Sequence, residues 1–239
     1  MRHGICKLSV VPMRREPSHT SELVSELLFN DIYEILDENE EWMRICCKYD
    51  SYEGWIRKLQ HYELSEEEFN ELLKKDKYII NTAVTSYRNM TLSFGSKVFE
   101  KTENAIAIRK DFDNNIMVES AIKMLDVPYR WGGKSAMGID CSAFVQLCAK
   151  VAGYKLPRDA YQQAQCGEII SSLADAKAGD LAFFKNEDDK ITHVGIMLSN
   201  DKIIHASGKV RIDTLDLTGI FNKETGQHTH ALGFIKRIR

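Results

Sequence analysis

The chain has 239 residues, 44% of them hydrophobic, and carries a formal net charge of −3 with a sequence pI of about 6.2. That is enough apolar material to bury a core in one or two domains, and the balance provides no basic stripe of the kind phosphate backbones require, so nucleic-acid binding is not expected. No apolar run reaches the roughly 18 residues of a membrane span, and the opening MRHGICKLSVVPMRREPS has early charge but no apolar h-region or small-residue cleavage site, so a cytoplasmic protein without membrane contact is expected.

The cysteines, Cys6, Cys46, Cys47, Cys141, Cys148 and Cys166, show no spacing of a disulfide framework or a metal clip. All but Cys141 read as small buried apolar side chains.

Along the chain, residues 5 to about 62 present short β segments: CKLSVVPM, SELVSELLFNDIYEILDE, WMRICCKYD and GWIRKL, broken at Pro17, Asn30-Asp31, Asn39 and Ser51. Strands at this spacing predict a small barrel or sandwich. The order, a strand–loop–strand pair, a W-x-x-I strand and a closing Gly54-Trp55-Ile56, resembles bacterial SH3-like domains over nearly all of residues 1–62. From Glu63 to Lys75, Ser65 with Glu68 three residues on forms a capping-box pattern and predicts a short connecting helix. Residues 77–112 return to short runs around Gly95-Ser96; a second, degenerate SH3-like module is the favoured reading and an extended linker the other.

From 113 the character changes. An amphipathic helix (NNIMVESAIKMLD) leads to a glycine-rich loop and a second helix whose apolar Phe144, Val145, Cys148, Val151 and Ala152 follow helical spacing. Four strand-like runs follow, DLAFF, THVGIML, KIIHAS and HALGFIKRI. Helices followed by antiparallel strands make an α+β pattern.

Within GGKSAMGIDCSAF, Cys141 stands where the second helix begins, with Asp140 placed as its N-cap. The free amide N–H groups and the positive end of the helix dipole favour a thiolate there. Taken alone, Cys141 is as well explained as a small core residue. A partner base changes this, and the strands offer His193 and His205, each of which alone would be an ordinary core histidine. Hairpin register decides whether they meet. A two-residue Asn200-Asp201 turn would put them on opposite faces, whereas an odd turn over Ser199-Asn200-Asp201 sets His205 opposite Gly195 and His193 diagonally beside it. The odd turn, or a bulge equivalent to it, is predicted. His193 could then take the thiol proton while His205 orients its ring.

Together, PYRWGGKSAMGIDCSAFVQ, LPRDAYQQ, AGDLAFF, HVGIML and IIHAS, spread over about residues 115–239, resemble the NlpC-type papain-like cysteine peptidases of bacterial cell-wall metabolism. The family usually has P-G-D-L where this chain has Ala178-Gly179-Asp180-Leu181, a departure at a turn. The resemblance implies an α+β fold. A papain-like NlpC-type catalytic domain, helices packed on an antiparallel sheet, would occupy 113–239, after an SH3-like domain at 1–62 and a linker helix with a possible second module at 63–112. It makes Cys141 the nucleophile, His193 the base and His205 the third triad member, with the Cys141 backbone N–H and Tyr129 as oxyanion donors.

SH3-like modules joined to such a domain without a secretion signal resemble the γ-D-glutamyl-L-diamino acid peptidases related to dipeptidyl-peptidase VI. The implied substrate is a small free murein peptide, L-Ala-γ-D-Glu-diamino acid, cut after D-Glu, with a free N-terminal amine. An ammonium needs strong acceptors and a compensating charge, and Asp159 and Glu16 match the positions the resemblance implies, with Tyr52 closing the pocket. Tyr129, Trp131, Asp140 and Ser142 would line the subsites, and Gly132, Gly133 and Gly138 would let the substrate backbone approach.

No cofactor is called for. GGKS lacks the glycine a phosphate loop needs at Pro128, and a zinc site on Cys141, His193 and His205 would lack a fourth ligand and occupy the nucleophile. His228 and His230 read as exposed turn residues. The expected function is murein-peptide recycling; the alternatives are a D,L-endopeptidase on intact peptidoglycan, anchored through the SH3-like domain, and a non-catalytic wall-peptide-binding module. Nothing in the sequence calls for a second copy of the chain.

Overall fold

The computed structural model describes residues 2–75 and 77–239. The chain forms two compact units, one of Met1–Ile108 with Arg130–Gly138, the other of Arg109–Tyr129 with Ile139–Arg239.

In the first unit, β1 (Arg2–Ile5), β2 (Val10–Arg14), β3 (Leu23–Leu28), β4 (Ile32–Glu38), β5 (Trp42–Cys47), β6 (Glu53–Arg57) and β7 (Glu63–Leu64) form a seven-stranded sheet in the order β3-β2-β6-β5-β4-β1-β7. Alternate residues of these strands, among them Val11, Met13, Tyr33, Met43, Ile45 and Ile56, bury a single cluster, the expected result of a two-residue side-chain period. Two of the breaks read from sequence fall on residues in the left-handed region, Asn30 (φ 62°) and Ser51 (φ 58°).

Helix α1 (Glu66–Lys74) starts at the predicted capping box: the Glu68 N–H donates to Ser65 Oγ at 3.1 Å and the Ser65 N–H to Glu68 Oε2 at 2.8 Å. After it, β8 (Tyr78–Ile80), β11 (Lys97–Val98) and β12 (Ala105–Ala107) make a three-stranded sheet, and β9 (Val84–Tyr87) and β10 (Met90–Ser93) a separate hairpin. A short ribbon, β13 (Lys134–Ser135) with β14 (Gly138–Ile139), follows later in the chain. Lys134, outside any phosphate loop, is buried: its Nζ lies 3.5 Å from Asp50 and its backbone N–H donates to Glu26 Oε2 at 2.7 Å.

The second unit contains α2 (Asn114–Ile122), α3 (Cys141–Val151) and α4 (Ala160–Gln163), with β15 (Glu168–Ile170), β16 (Leu181–Lys185), β17 (Ile191–Met197), β18 (Lys202–Ser207), β19 (Lys209–Leu215), β20 (Gly219–Asn222) and β21 (Gln227–Arg237). The strands run β15-β21-β16-β17-β18-β19-β20, and an added β20–β21 pairing closes the sheet on itself. Sequence reading expects four strands; β15, β19 and β20 are additional, and β21 is long enough to pair with β16 through one half and β20 through the other. Helix α3 packs on α2 and on β17 and β18. The helical spacing of Phe144, Val145, Cys148 and Val151 marks only part of what α3 buries: every residue from Cys141 to Val151 is buried, Gln146 and Lys150 included. A helix enclosed by a second helix and a sheet has no solvent face to mark with polar residues.

Candidate active site

Cys141 is the first residue of α3, and Asp140 caps the helix by accepting the Ala143 N–H at 2.8 Å. The same carboxylate takes both Arg158 guanidinium nitrogens, at 3.0 and 2.6 Å, and Arg158 also donates to Ser142 Oγ at 2.9 Å. Arg158 is only 1% exposed, so Asp140, Ser142 and Arg158 form a buried polar cluster at the helix start. The backbone N–H groups of Val194 and Ser142 face the Cys141 sulfur, which lies beside the strand carrying His193. The thiol is not activated by its address alone. Burial pushes it up to about 12, the Asp140 charge acts in the same direction, and the two N–H groups and Arg158 offset these only in part.

The hairpin has the register of the odd turn. Gly195 lies opposite His205, Ile196 opposite Ile204 and Met197 opposite Ile203, with the Leu198 N–H bonded to the Lys202 carbonyl at 2.8 Å. His193 and His205 therefore share a face, and His193 Nε2 lies 2.8 Å from His205 Nδ1. Burial, reinforced by His205 and His230, holds His193 well below the ordinary histidine range, so its resting imidazole is neutral.

A further acid continues this chain. Asp213 Oδ2 lies 3.0 Å from His205 Nε2, and Arg211 grips the same carboxylate through Nε at 2.7 Å and NH2 at 3.1 Å. The signal that finds Asp213 is the turn at Gly208: it pairs His205 with Arg211 and Ile203 with Asp213, and alternation puts residues 205, 211 and 213 on one face. The strand-like run KIIHAS read from sequence ends one strand short of Asp213.

His230 is not an exposed turn residue. It lies within β21, opposite Ile220, and stacks on His193 with ring centroids 4.1 Å apart and planes 27° apart. Strand pairing carries it inward, and burial, with His205 adding to it, lowers its pKa to about 4. Its neighbour on the same strand, His228, is exposed and pairs with Asp216 at 2.8 Å. His193, His230, Tyr129, Ser207 and Gly208 line a cavity of about 200 Å³. Burial, with Cys141 and Asp140 nearby, pushes the Tyr129 phenol up to about 12, so it stays a hydrogen-bond donor at neutral pH.

Asp159 is half-buried at the N-cap of α4, its N–H donating to Gln162 Oε1 at 3.3 Å. Trp131, in the first unit, is 63% exposed, and its Nε1 donates to Glu22 Oε1 at 2.7 Å. Glu16 is exposed on the β2–β3 loop, where its N–H donates to Ser21 Oγ at 3.0 Å. Tyr52 packs against the β-sheet core of the first unit. Gly132 and Gly133 are explained by backbone packing, not by room for substrate: a Cβ on Gly132 (φ 72°) would meet the Leu23 carbonyl at 2.0 Å and one on Gly133 the Gly138 carbonyl at 2.3 Å.

Residues 126–229 match the NlpC/P60 family, and residues 13–60 match the bacterial dipeptidyl-peptidase Sh3 domain. The chain therefore carries a domain of the NlpC/P60 peptidase family, a hydrolase family, preceded by an SH3-like domain. It is 36% identical over 143 residues to the gamma-D-glutamyl-L-lysine dipeptidyl-peptidase of Bacillus subtilis, a match over 58% of this chain and 48% of that one, so this alignment spans about half of the relative. It is 27% identical to dipeptidyl-peptidase 6 of Lysinibacillus sphaericus over 84% of this chain and 87% of that one. Among solved structures, an NlpC/P60 family protein from Bacillus cereus superposes with a TM-score of 0.81 at 14% identity, covering 98% of this chain and 99% of that one, a likeness of fold.

Proposed function

We propose that this protein is a cysteine peptidase that hydrolyses the γ-D-glutamyl–diamino acid bond of small murein peptides bearing a free N-terminal L-alanine. We place it in the cytoplasm, where such peptides are recycled, and take its catalytic domain to be papain-like. The observation that supports the reading is the buried Cys141 sulfur facing the Val194 N–H, one residue from His193, whose Nε2 lies 2.8 Å from His205 Nδ1. The relatives named gamma-D-glutamyl-L-lysine dipeptidyl-peptidase and dipeptidyl-peptidase 6 support the choice of bond.

His193 uses Nε2 toward His205, which leaves Nδ1 to act as base. The thiol proton passes to Nδ1 as sulfur bonds to the γ-glutamyl carbonyl carbon and the carbonyl electron pair moves to oxygen. Tyr129 and the Cys141 N–H are the proposed donors to that oxyanion. Collapse of the adduct expels the diamino acid nitrogen, which takes the proton from Nδ1 and leaves a thioester. Water then attacks the thioester carbon, giving a proton to Nδ1, and the thiolate leaves and recovers it. Because the resting pair is neutral thiol and neutral imidazole, proton transfer accompanies attack.

Asp159 is the proposed acceptor for the substrate ammonium. Glu16 and Tyr52, with Trp131, Asp140 and Ser142, keep the substrate roles assigned by resemblance as part of the proposal. The test is incubation with L-Ala-γ-D-Glu-L-Lys, its meso-diaminopimelate counterpart and the N-acetylated forms. Cleavage only of peptides with a free amine is expected. Equal cleavage of acetylated and free peptides would remove the ammonium reading, and cleavage of none would favour a binding module. If Glu16→Gln leaves both KM and kcat unchanged, Glu16 has no part in recognition.

A further inference from the structure

We infer that Asp213, clamped by Arg211, is a positioning residue that fixes the proton arrangement of both site histidines, so that the relay consists of Cys141, His193, His205 and Asp213. The inference rests on the proposed reading of His193 as base but concerns a residue that reading does not use.

Arg211 places two N–H donors on the Asp213 carboxylate, at 2.7 and 3.1 Å, and is itself held by Glu224 at 2.9 Å and Asn222 at 3.0 Å. Burial pushes the Asp213 carboxyl up, but its hydrogen bonds to His205 and Arg211 outweigh this and hold it below the usual carboxylate range. An ionised carboxylate only accepts hydrogen bonds. The His205 nitrogen 3.0 Å from it, Nε2, must therefore carry the proton. With His205 neutral, as proposed, its other nitrogen is bare: Nδ1 accepts, and the nitrogen 2.8 Å away, His193 Nε2, is the donor. A neutral His193 protonated at Nε2 has its lone pair on Nδ1, the nitrogen that must receive the thiol proton. With the opposite His205 tautomer, His193 Nε2 would accept instead, Nδ1 would carry hydrogen, and no base would face the thiol.

His205 alone could not select between these states, since imidazole is symmetric in having one donor and one acceptor. Asp213 removes the ambiguity. It sits on β19, the partner of the strand carrying His205, and is 4% exposed, so no water competes strongly for the carboxylate. When His193 accepts the thiol proton and becomes cationic, the charge is stabilised along the same line.

The decisive measurement is the tautomeric state of His193 and His205 by long-range ¹H–¹⁵N NMR of the full chain labelled at histidine. In the wild-type protein at pH 7 both residues are expected to be protonated at Nε2 and bare at Nδ1. In Asp213→Leu the carboxylate that accepts from His205 Nε2 is removed, so nothing favours the Nε2 tautomer and His205 is expected to populate the Nδ1 form, with kcat on the free wall peptide falling roughly 10²-fold, the lower end of a positioned base's contribution, and KM little changed. A wild-type His205 that carries hydrogen on Nδ1, alone or together with Nε2, overturns the inference, as does an Asp213→Leu protein that keeps wild-type tautomers. If the variant does not fold, the wild-type spectrum decides. Because the tautomers are read without substrate, failure to cleave wall peptides would count against the proposed substrate and leave this result standing.

Discussion

His205 lies directly across the β17–β18 hairpin from Gly195, and a methyl group at Gly195 would stand 2.9 Å from the His205 Cβ and 2.7 Å from Ile203 Cδ1. The glycine thus leaves the room that the His205 side chain occupies. Gly195→Ala must push His205 or Ile203 aside, and overpacking of this kind costs about 1–3 kcal/mol. The expected outcome is a modest fall in Tm together with a loss in kcat of roughly tenfold or more, since small displacements of a positioned base are costly. A variant that loses stability but keeps kcat would show that the hairpin relaxes away from the histidine pair.

The resting thiol should be slow toward electrophiles at neutral pH. With Cys141 pushed up to about 12 and His193 held well below its ordinary range, no thiolate–imidazolium pair precedes substrate. Alkylation of Cys141 by iodoacetamide, followed by the mass of its peptide, should rise about tenfold per pH unit between pH 6 and pH 9 because only the thiolate reacts. A plateau across neutral pH would reveal a preformed ion pair.

His230 couples stability to pH. Its pKa is lowered from 6.5 to about 4, so the unfolded chain binds this proton first, and the stabilisation is fully present above about 6.5 and is lost as the pH falls toward 4. Phenylalanine at 230 keeps a ring against His193 and cannot titrate. Urea unfolding of His230→Phe between pH 7 and pH 4.5 should show a shallower loss than the wild-type chain, which retains the same trend from His193. Identical slopes would mean that His230 titrates alike in the folded and unfolded chains.

Arg158 tests the buried cluster at the start of α3. Arg158→Gln leaves the Asp140 carboxylate buried without its bidentate partner, and removing one member of a buried ion pair costs about 3–5 kcal/mol. Denaturant unfolding should show a loss of that order. A loss below about 1 kcal/mol would indicate that the helix cap alone satisfies Asp140.

What was legible in the sequence is what local rules control. The Ser65–Glu68 box and the Asp140 cap are fixed by residues within one helical turn, and the register of His193 and His205 follows from a turn of three residues. The face shared by His205 and Asp213 was equally accessible through Gly208, but only if the strand Lys209–Leu215 is recognised first. His230 was hidden for a different reason. A glycine-flanked run such as GQHTH reads as a turn unless the preceding Gly219–Asn222 is recognised as β20, which pairs back on it across residues 223–226 and makes the segment strand. The expected thiolate failed because a helix N-terminus was weighed without the desolvation that burial on every side imposes.

Strands β17 and β18, which carry the two histidines, each have neighbours on both sides, β16 and β18 for the first, β17 and β19 for the second. The ladder between them nevertheless spans only Gly195–Met197 of β17, so the half of β17 that carries His193 has no β18 partner, and from it the Val194 N–H turns to the Cys141 sulfur. On its other side the same stretch is held by β16. The sheet is thus unzipped on one side only, beside the thiol, and main-chain recognition of whatever lies there is left open by the fold.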